Sequence, residues 1–222
     1  MASEQDKVRI DVVSDVVCPW CFIGKRRLEK AIALNPGIPV EVHYHPFFLN
    51  EWIPAEGISR EQYLTTKFGS PERYKEIAQR VSAAAAEDDL VYAIDKVSRQ
   101  PNTTDSHRLI YWASLEGKEA EMKQRLMELY FSEGADLSDK GVLVKAVADV
   151  GLDGDAVAKK LDTEEDLDVV SQRVEAAKSA GIQGVPFFII DNAYALSGAQ
   201  APEQLAAVIQ RAANEKGQKT AG

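Results

Sequence analysis

Apolar and polar residues alternate along residues 8–13, where most side chains are β-branched, and this pattern predicts a strand. Over residues 19–34 the apolar positions recur instead at helical spacing, and the Asn-Pro-Gly run at residues 35–37 ends that helix. Alternation returns at residues 39–45, which predicts a second strand. Two strands joined by a helix indicate a parallel βαβ unit with a right-handed crossover.

A long middle segment, residues 59–181, carries only helical signals. It opens with a capping box, Ser-Arg-Glu-Gln, and Ser70-Pro71 starts a helix that should run to about residue 86. Apolar spacing predicts three further helices: residues 105–131 with a break near Gly117, a short helix ending at Gly151, and one from about residue 163 to Gly181. We expect no strand here, so the segment should form a helical unit.

Strand character returns at residues 185–190 and continues after a turn at Asp191-Asn192, since both residues tolerate positive φ. Residues 193–196 should pair back as a hairpin, followed by a helix to about residue 213 and a polar, frayed tail. The order β-α-β, helical segment, β-β-α predicts an α/β protein with a thioredoxin-like fold and a large all-helical insertion. We assign residues 1–58 and 182–222 to the thioredoxin-like domain. Residues 59–181 form the inserted helical domain.

The composition indicates a globular protein. Of the 222 residues 45% are hydrophobic and 27% are charged, which suits a chain that buries a core. The net charge of −9 repels phosphates and anionic lipids, so neither nucleic acid nor a membrane surface is an expected partner. Because we find no secretory signal and no apolar run long enough to cross a bilayer, we expect a cytoplasmic protein. A monomer or a homodimer is expected.

The chain has only two cysteines, and they form the motif Cys18-Pro19-Trp20-Cys21. Such a pair can bind zinc or an iron–sulfur cluster, or act as a redox dithiol. A structural zinc site needs four ligands, and the three histidines show no zinc-like spacing, so metal binding is the weaker alternative. Buried structural thiols are a further alternative, which the position at a helix start disfavours.

The position of the motif favours redox chemistry. Pro19 suits a first helical position, which makes Cys18 the N-cap. Its sulfur should then accept from the amides of Trp20 and Cys21, and the helix dipole should favour the thiolate. We therefore expect Cys18 to attack a substrate disulfide and Cys21, which lies further inside, to resolve the mixed disulfide.

Other residues are candidates for the same site. Pro186 opens an apolar strand after Val185, whose backbone can pair with an extended substrate. Trp20, beside the sulfurs, and Pro19 are candidates for substrate contact, and His107 could line the cleft facing Cys18. We interpret Asp15 as a loop cap, with proton transfer as the alternative, and Gly24 as a site of close approach by the helical domain.

Five segments follow one another along nearly the whole chain: residues 14–29, 46–50, 102–103 with 107–110, 184–188 and 196–200. Together they resemble the DsbA family, specifically its FrnE-like cytoplasmic branch. The resemblance implies disulfide oxidoreductase or isomerase activity, with Cys18 as nucleophile, Cys21 as resolving thiol and Pro186 in the cis form. Periplasmic DsbA proteins have His where this chain has Trp20, which argues against strong oxidising power. The extra C-terminal cysteine pair of some FrnE-like proteins is missing.

The same superfamily suggests an alternative function. Kappa-class glutathione transferases and hydroxychromene carboxylate isomerases look similar in architecture but carry Ser where Cys18 stands here. The alternative is therefore glutathione-dependent isomerase or transferase chemistry on a small molecule. We expect no resident cofactor or metal. The expected partners are protein or small-molecule thiols and disulfides, with glutathione as a candidate redox partner.

Overall fold

The computed structural model describes residues 7–220, which form a mixed four-stranded sheet surrounded by helices. The chain begins with the predicted βαβ unit, whose elements are β1 (Val8–Ser14), α1 (Pro19–Ala33) and β2 (Val40–Pro46). It ends with the predicted ββα unit, formed by β5 (Phe187–Ile190), β6 (Tyr194–Ser197) and α9 (Pro202–Thr220). The predicted fold class, a thioredoxin-like fold with a helical insertion, is confirmed.

The strand order is β2-β1-β5-β6. The first two strands are parallel, with Val12 opposite Tyr44, and β5 runs antiparallel to both of its neighbours. Asp191 and Asn192 both have positive φ, 50° and 54°, as predicted for the tight turn between β5 and β6. This order places the end of β1, which leads into the cysteine motif, beside the start of β5.

Helices α1 and α9 pack side by side on one face of the sheet, where Leu28 and Ile209 join the β1 side chains in one apolar cluster. Part of the other face is covered by α8 (Leu167–Ser179) of the inserted segment, through Ala177 packed near Val13. Both faces are therefore covered by helices, one of them from the inserted segment.

The inserted segment is built mainly of helices. These are α2 (Arg60–Phe68), α3 (Pro71–Glu87), α4 (Thr104–Leu115), α5 (Glu119–Glu128), α6 (Lys140–Asp149), α7 (Gly154–Leu161) and α8 (Leu167–Ser179), with a π turn at Leu129–Glu133. Ser59 and Ser70 accept from the amides three residues on, as N-caps of α2 and α3. The break near Gly117, whose φ is 69°, is confirmed.

Three details of the prediction were wrong. A two-residue strand β4 (Arg99–Gln100) pairs with β3 (Ile58–Ser59), although no strand was expected here. The sequence did not reveal this pair because two residues are too few to form an alternating pattern. Helix α7 was missed, although Asp153 caps it by accepting from Ala156. The tail does not fray after residue 215: α9 continues to Thr220, and residues 221–222 lie outside the described residues. The domain boundaries stay a prediction.

Candidate functional site

The first turn of α1 holds the cysteine pair. Cys18 is the N-cap, with extended backbone angles, and Pro19 occupies the first helical turn, as predicted. The Cys18 carbonyl accepts from the amides of Cys21 and Phe22 at 3.0 and 3.2 Å, while its own amide donates to the Asp15 carbonyl. These bonds fix the Cys18 backbone at the junction between β1 and α1.

The Cys18 sulfur makes a different contact from the one we predicted. It makes no cap bond with the helix amides and instead lies 3.5 Å from the Val185 carbonyl, to which the thiol donates. The physical reason is that a thiol is a weak acceptor and a carbonyl oxygen is a much better one. The contact joins Cys18 directly to one of the predicted substrate-binding residues.

Cys21 lies deeper than Cys18, because Cys18 borders a cavity, described below, whose lining does not include Cys21. Both thiols are free, and Cys21 is only 2% exposed. Burial raises the pKa of Cys21, and its neighbour Cys18 raises it further, while Lys123 acts in the opposite direction. This agrees with the prediction that Cys21 lies deeper and keeps its proton more strongly than an ordinary thiol.

The loop before β5 closes over the same helix. The Val185–Pro186 peptide bond is cis, as expected, and the Pro186 carbonyl accepts from the Gly198 amide at 2.8 Å. Gly24 of α1 lies against this loop: a Cβ there would come within 2.9 Å of Pro186 Cγ and 3.3 Å of Phe188 Cζ. The glycine therefore permits close approach of Pro186, and the expectation that it faces the helical domain was wrong.

Cys18 lies on the wall of a cavity of about 220 Å³. Cys18 is only 3% exposed, but this cavity gives a ligand access to its sulfur. Predicted site residues contribute one side of the cavity: Cys18, Pro19, Trp20 and Val185. Helical residues of the insertion contribute the other: Arg60, Tyr63, Lys67, Phe68, Tyr74, Ile77, Tyr130 and Phe131, the last two near the π turn. Trp20 is 38% exposed at the cavity.

Two cations in this wall were missed by the sequence analysis. Lys67 Nζ donates to Asn50 Oδ1 at 2.6 Å and lies 5.6 Å from the centre of the Tyr63 ring. Burial lowers the pKa of Lys67, whereas the neighbouring Cys18 and Asp15 raise it. Arg60 lies about 5 Å from the rings of Tyr63 and Tyr74. No local signal marked either residue, because each looks like an ordinary surface cation of an amphipathic helix.

His107 is not among the residues that line the Cys18 cavity. It is buried, its Nε2 lies 3.2 Å from Asp15 Oδ1, and it lines a second, narrower cavity together with Lys123. Burial lowers the pKa of His107, although its contact with Asp15 raises it. Asp15 also accepts from the Leu49 amide at 2.8 Å, in agreement with a loop-capping role. Substrate contact by His107 stays a prediction.

Two features are missing from the described part of the chain. In residues 7–220 no three His, Cys, Asp or Glu side chains come together as a metal ion would need. Over the same residues, no helix is both long enough and apolar enough to span a membrane.

Comparisons with known proteins agree with this geometry. A family model described as a DSBA-like thioredoxin domain matches residues 9–210. The uncharacterized protein YwbO of Bacillus subtilis (strain 168) is 30% identical over 184 residues, which cover 82% of this chain and 86% of that protein. The family match thus spans both ends of the sheet and the whole insertion.

Solved structures show the same fold. The probable DsbA oxidoreductase SCO1869 from Streptomyces coelicolor superposes with a TM-score of 0.84 at 30% identity, over 94% of this chain and 91% of that one. The cytosolic disulfide reductase DsbM from Pseudomonas aeruginosa, solved with GSH, has a TM-score of 0.65 at 20% identity, over 91% and 98%. The second likeness concerns the fold alone. With its cysteine pair at the start of α1 and a family match over residues 9–210, this chain belongs to the DSBA-like thioredoxin domain family.

Proposed function

We propose that this protein is a thiol–disulfide oxidoreductase or isomerase that exchanges disulfides with protein or small-molecule thiols through Cys18 and Cys21. The observation that carries the proposal is the placement of the Cys18 thiol on a cavity wall, 3.5 Å from the Val185 carbonyl, with Cys21 one helical turn behind it. A substrate sulfur in that cavity reaches Cys18 first. All these residues come from one chain, so a monomer or each subunit of a homodimer can act.

The reaction follows from the two environments. The Cys18 thiolate attacks one sulfur of a substrate disulfide, a mixed disulfide forms, and the other substrate sulfur leaves as a thiolate. Cys21 then attacks the Cys18 sulfur, which forms the Cys18–Cys21 disulfide and releases the second substrate thiolate. Trp20 cannot become a cation beside Cys18, so we expect weaker oxidising power than in members with His at this position.

The lining of the cavity supports a small anionic substrate such as glutathione disulfide. Lys67 and Arg60 supply positive charge, and the aromatic walls exclude water, which strengthens their attraction for carboxylates. DsbM, the cytosolic disulfide reductase of the same fold, was solved with GSH, which supports a glutathione-type substrate for this chain as well. We further propose that this is a cytoplasmic protein of the FrnE-like branch, because the segments that resemble that branch follow one another in order along nearly the whole chain.

The decisive experiment traps the mixed disulfide. Cys21→Ala, reduced and then exposed to glutathione disulfide or a disulfide-bonded protein, should retain one substrate thiol on Cys18 in intact-protein mass spectra. Cys18→Ser, which has the same number of cysteines, should retain none, and it should lose disulfide turnover. Turnover that survives in Cys18→Ser would disprove the proposal.

The second candidate is a glutathione-dependent isomerase or kappa-type transferase that acts on a small molecule. The positively charged, aromatic cavity is the observation in its favour. It is distinguished by the resolving thiol, because such chemistry does not form the Cys18–Cys21 disulfide. Full turnover of Cys21→Ala with glutathione on a substrate without a disulfide would favour this candidate.

A further inference from the structure

We propose that Arg60 determines which sulfur of a substrate disulfide reacts, because it binds a carboxylate on the half that becomes bonded to Cys18. A disulfide with one acidic and one neutral half should therefore be attacked at the sulfur of the acidic half. The inference rests on the proposed function and deepens it: positive charge attracts an anionic substrate, whereas Arg60 selects between its two sulfurs.

Arg60 and Cys18 line the same cavity, which has room for one half of a small disulfide. Its volume of about 220 Å³ is below the roughly 300–1,000 Å³ of pockets that enclose a whole drug-sized ligand. Cys18 is buried, so a substrate sulfur reaches it through this space. The thiolate that leaves must pass to solvent, and the exposed Trp20 marks the open side. The half that stays on Cys18 is therefore the one inside the cavity, where Arg60 can hold it.

The guanidinium of Arg60 is held in place before any ligand binds. Its Nη1 donates to Gln100 Oε1 at 2.9 Å, and the same oxygen accepts from the Tyr130 hydroxyl at 2.8 Å. The guanidinium carbon lies 5.1 Å from the centre of the Tyr63 ring and 5.0 Å from that of Tyr74. Gln100 is buried, so this support belongs to the protein interior. A donor group that is fixed in advance loses little conformational freedom when it binds.

Arg60 also has donors left for a ligand. Within residues 7–220 its side chain makes one hydrogen bond, to Gln100, so Nε and Nη2 have no acceptor, and no carboxylate lies within ion-pair distance. None of the described residues that line the cavity is acidic. The two unused nitrogens share one edge of the guanidinium, and such an edge matches the two oxygens of a carboxylate. Arg60 can therefore bind a carboxylate without giving up its own support.

The position of Arg60 suits a ligand better than it suits the helix. Arg60 is the first residue of α2, where the helix dipole favours an anion and disfavours a cation. Its backbone amide donates to the Ser98 carbonyl at 2.8 Å, which fixes the start of the helix beside β4. A carboxylate bound to Arg60 would neutralise a charge that the helix end disfavours.

Lys67, the other cation of the cavity, has a different task. It lies at the end of α2 and is exposed, and its ammonium donates to Asn50 Oδ1 at 2.6 Å. An ammonium on a flexible stem is a point charge, whose attraction depends little on direction. Lys67 therefore draws an anionic substrate into the cavity, whereas Arg60 holds only a carboxylate that reaches its free edge.

The selected step is the first exchange of the proposed reaction. The Cys18 thiolate forms a bond to the sulfur of the acidic half, and the S–S bond of the substrate breaks. Its electron pair leaves on the sulfur of the neutral half, which departs as a thiolate and takes a proton from water. Cys18 and the acidic half then form the mixed disulfide.

An unsymmetrical disulfide tests the selection. Its halves are glutathione and glutathione dimethyl ester, in which both carboxylates are masked, and Cys21→Ala in the full-length protein traps whichever half Cys18 retains. Intact-protein mass spectra of samples quenched early with acid distinguish the two halves. We expect mainly the acidic half, and the ratio of acidic to ester half should fall about tenfold when Arg60→Met is added, because a charged hydrogen-bonded contact is lost. The comparison between variants cancels any intrinsic difference between the two sulfurs.

Two other variants sharpen the test. Arg60→Lys keeps the charge but removes the paired donors, so it should recover only a small part of the preference. Arg80→Met makes the matched substitution on α3, where the side chain is 75% exposed, and should leave the ratio unchanged. An unchanged ratio in Arg60→Met, or the full preference in Arg60→Lys, would overturn the inference. Trapping of both halves without preference would do the same, whereas a protein that traps neither half would refute the proposed function itself.

Discussion

Cys18 and Cys21 are one helical turn apart, yet their surroundings give them different tasks. Cys18 faces a cavity and the Val185 carbonyl, whereas Cys21 is buried in apolar packing. The spacing of the motif puts both sulfurs on one side of α1, and burial then distinguishes them. Gly24 contributes at the same scale, because its missing side chain lets the Pro186 loop approach the helix.

Gly24→Ala tests that close approach. In an ordinary helix interior this change stabilises by about 1 kcal/mol. Here the new Cβ would lie 2.9 Å from Pro186 Cγ, so the loop must shift, and we expect a net loss of about 1–2 kcal/mol of unfolding free energy. Urea denaturation measures it. Gly217→Ala in α9, where a Cβ would meet no atom of the described residues within 4 Å, is the matched control and should be neutral or stabilising.

Lys123→Met should raise stability, because the buried amine is disfavoured as an ammonium. In the unfolded chain a lysine binds its proton up to about pH 10.4, whereas burial lowers the pKa of Lys123 to about 8 in the folded protein. The folded wild type therefore carries a penalty of about 3 kcal/mol below pH 8 that fades as the pH rises towards 10.4. Denaturation at pH 7 and pH 10 should show the gain of the variant shrinking. A gain that does not depend on pH would contradict this.

At the scale of elements, α2 brings charge to a site that the thioredoxin-like part leaves incomplete. Its Ser59 cap and one apolar face set the position of the helix, and Lys67 in its last turn then lies at the cavity. The result is a positively charged pocket in a protein whose net charge is −9. We therefore expect selectivity for anionic disulfides over cationic ones.

Lys67→Gln tests this selectivity. The ratio of kcat/KM for glutathione disulfide to that for cystamine, a small cationic disulfide, should fall about tenfold, and the effect should weaken at high salt. The ratio cancels any change in Cys18 itself, since both substrates react with the same sulfur. Lys75→Gln on the exposed side of α3 is the control. Equal losses for both substrates would mean that Lys67 acts on Cys18 rather than on substrate charge.

At the scale of the whole molecule, a buried carboxylate joins the inserted helices to the thioredoxin-like part. Asp88, at the end of α3, is 4% exposed and accepts from Arg27 at 2.6 Å and Lys30 at 2.9 Å, both on α1. Burial alone would raise the pKa of Asp88, but these two cations hold it below its ordinary value. The contact fixes α3 against the helix that carries the cysteines.

Asp88→Asn should remove this support. We expect a loss of about 2 kcal/mol in unfolding free energy at pH 7, because two partly buried cations lose their anion. Because the pKa of Asp88 is lower in the folded protein than in the unfolded chain, where it is near 4, its carboxylate stabilises the fold at pH values above 4. This stabilisation is lost as the pH falls through the pKa of Asp88 in the folded protein. The two proteins should therefore converge in acid. Asp89→Asn, next to it and 92% exposed, should have little effect at any pH.

The sequence alone determined the features that depend on neighbours along the chain. The cysteine motif at a helix start, the Ser59 and Ser70 caps and the turn at Asp191-Asn192 each follow from residue chemistry within a few positions. The same holds for the alternating strands, because a strand that buries one face must alternate whatever lies across from it. The order of these elements was then sufficient to predict the fold.

The tertiary structure alone decided which distant side chains meet. Lys67 and Lys123 look like solvated lysines of amphipathic helices, and only packing placed one at the Cys18 cavity and buried the other in the interior. It likewise directed His107 to Asp15 and paired β3 with β4. The physical reason is that a helical pattern records which face is buried but not the partner it is buried against, and the charge environment of a sulfur depends on that partner.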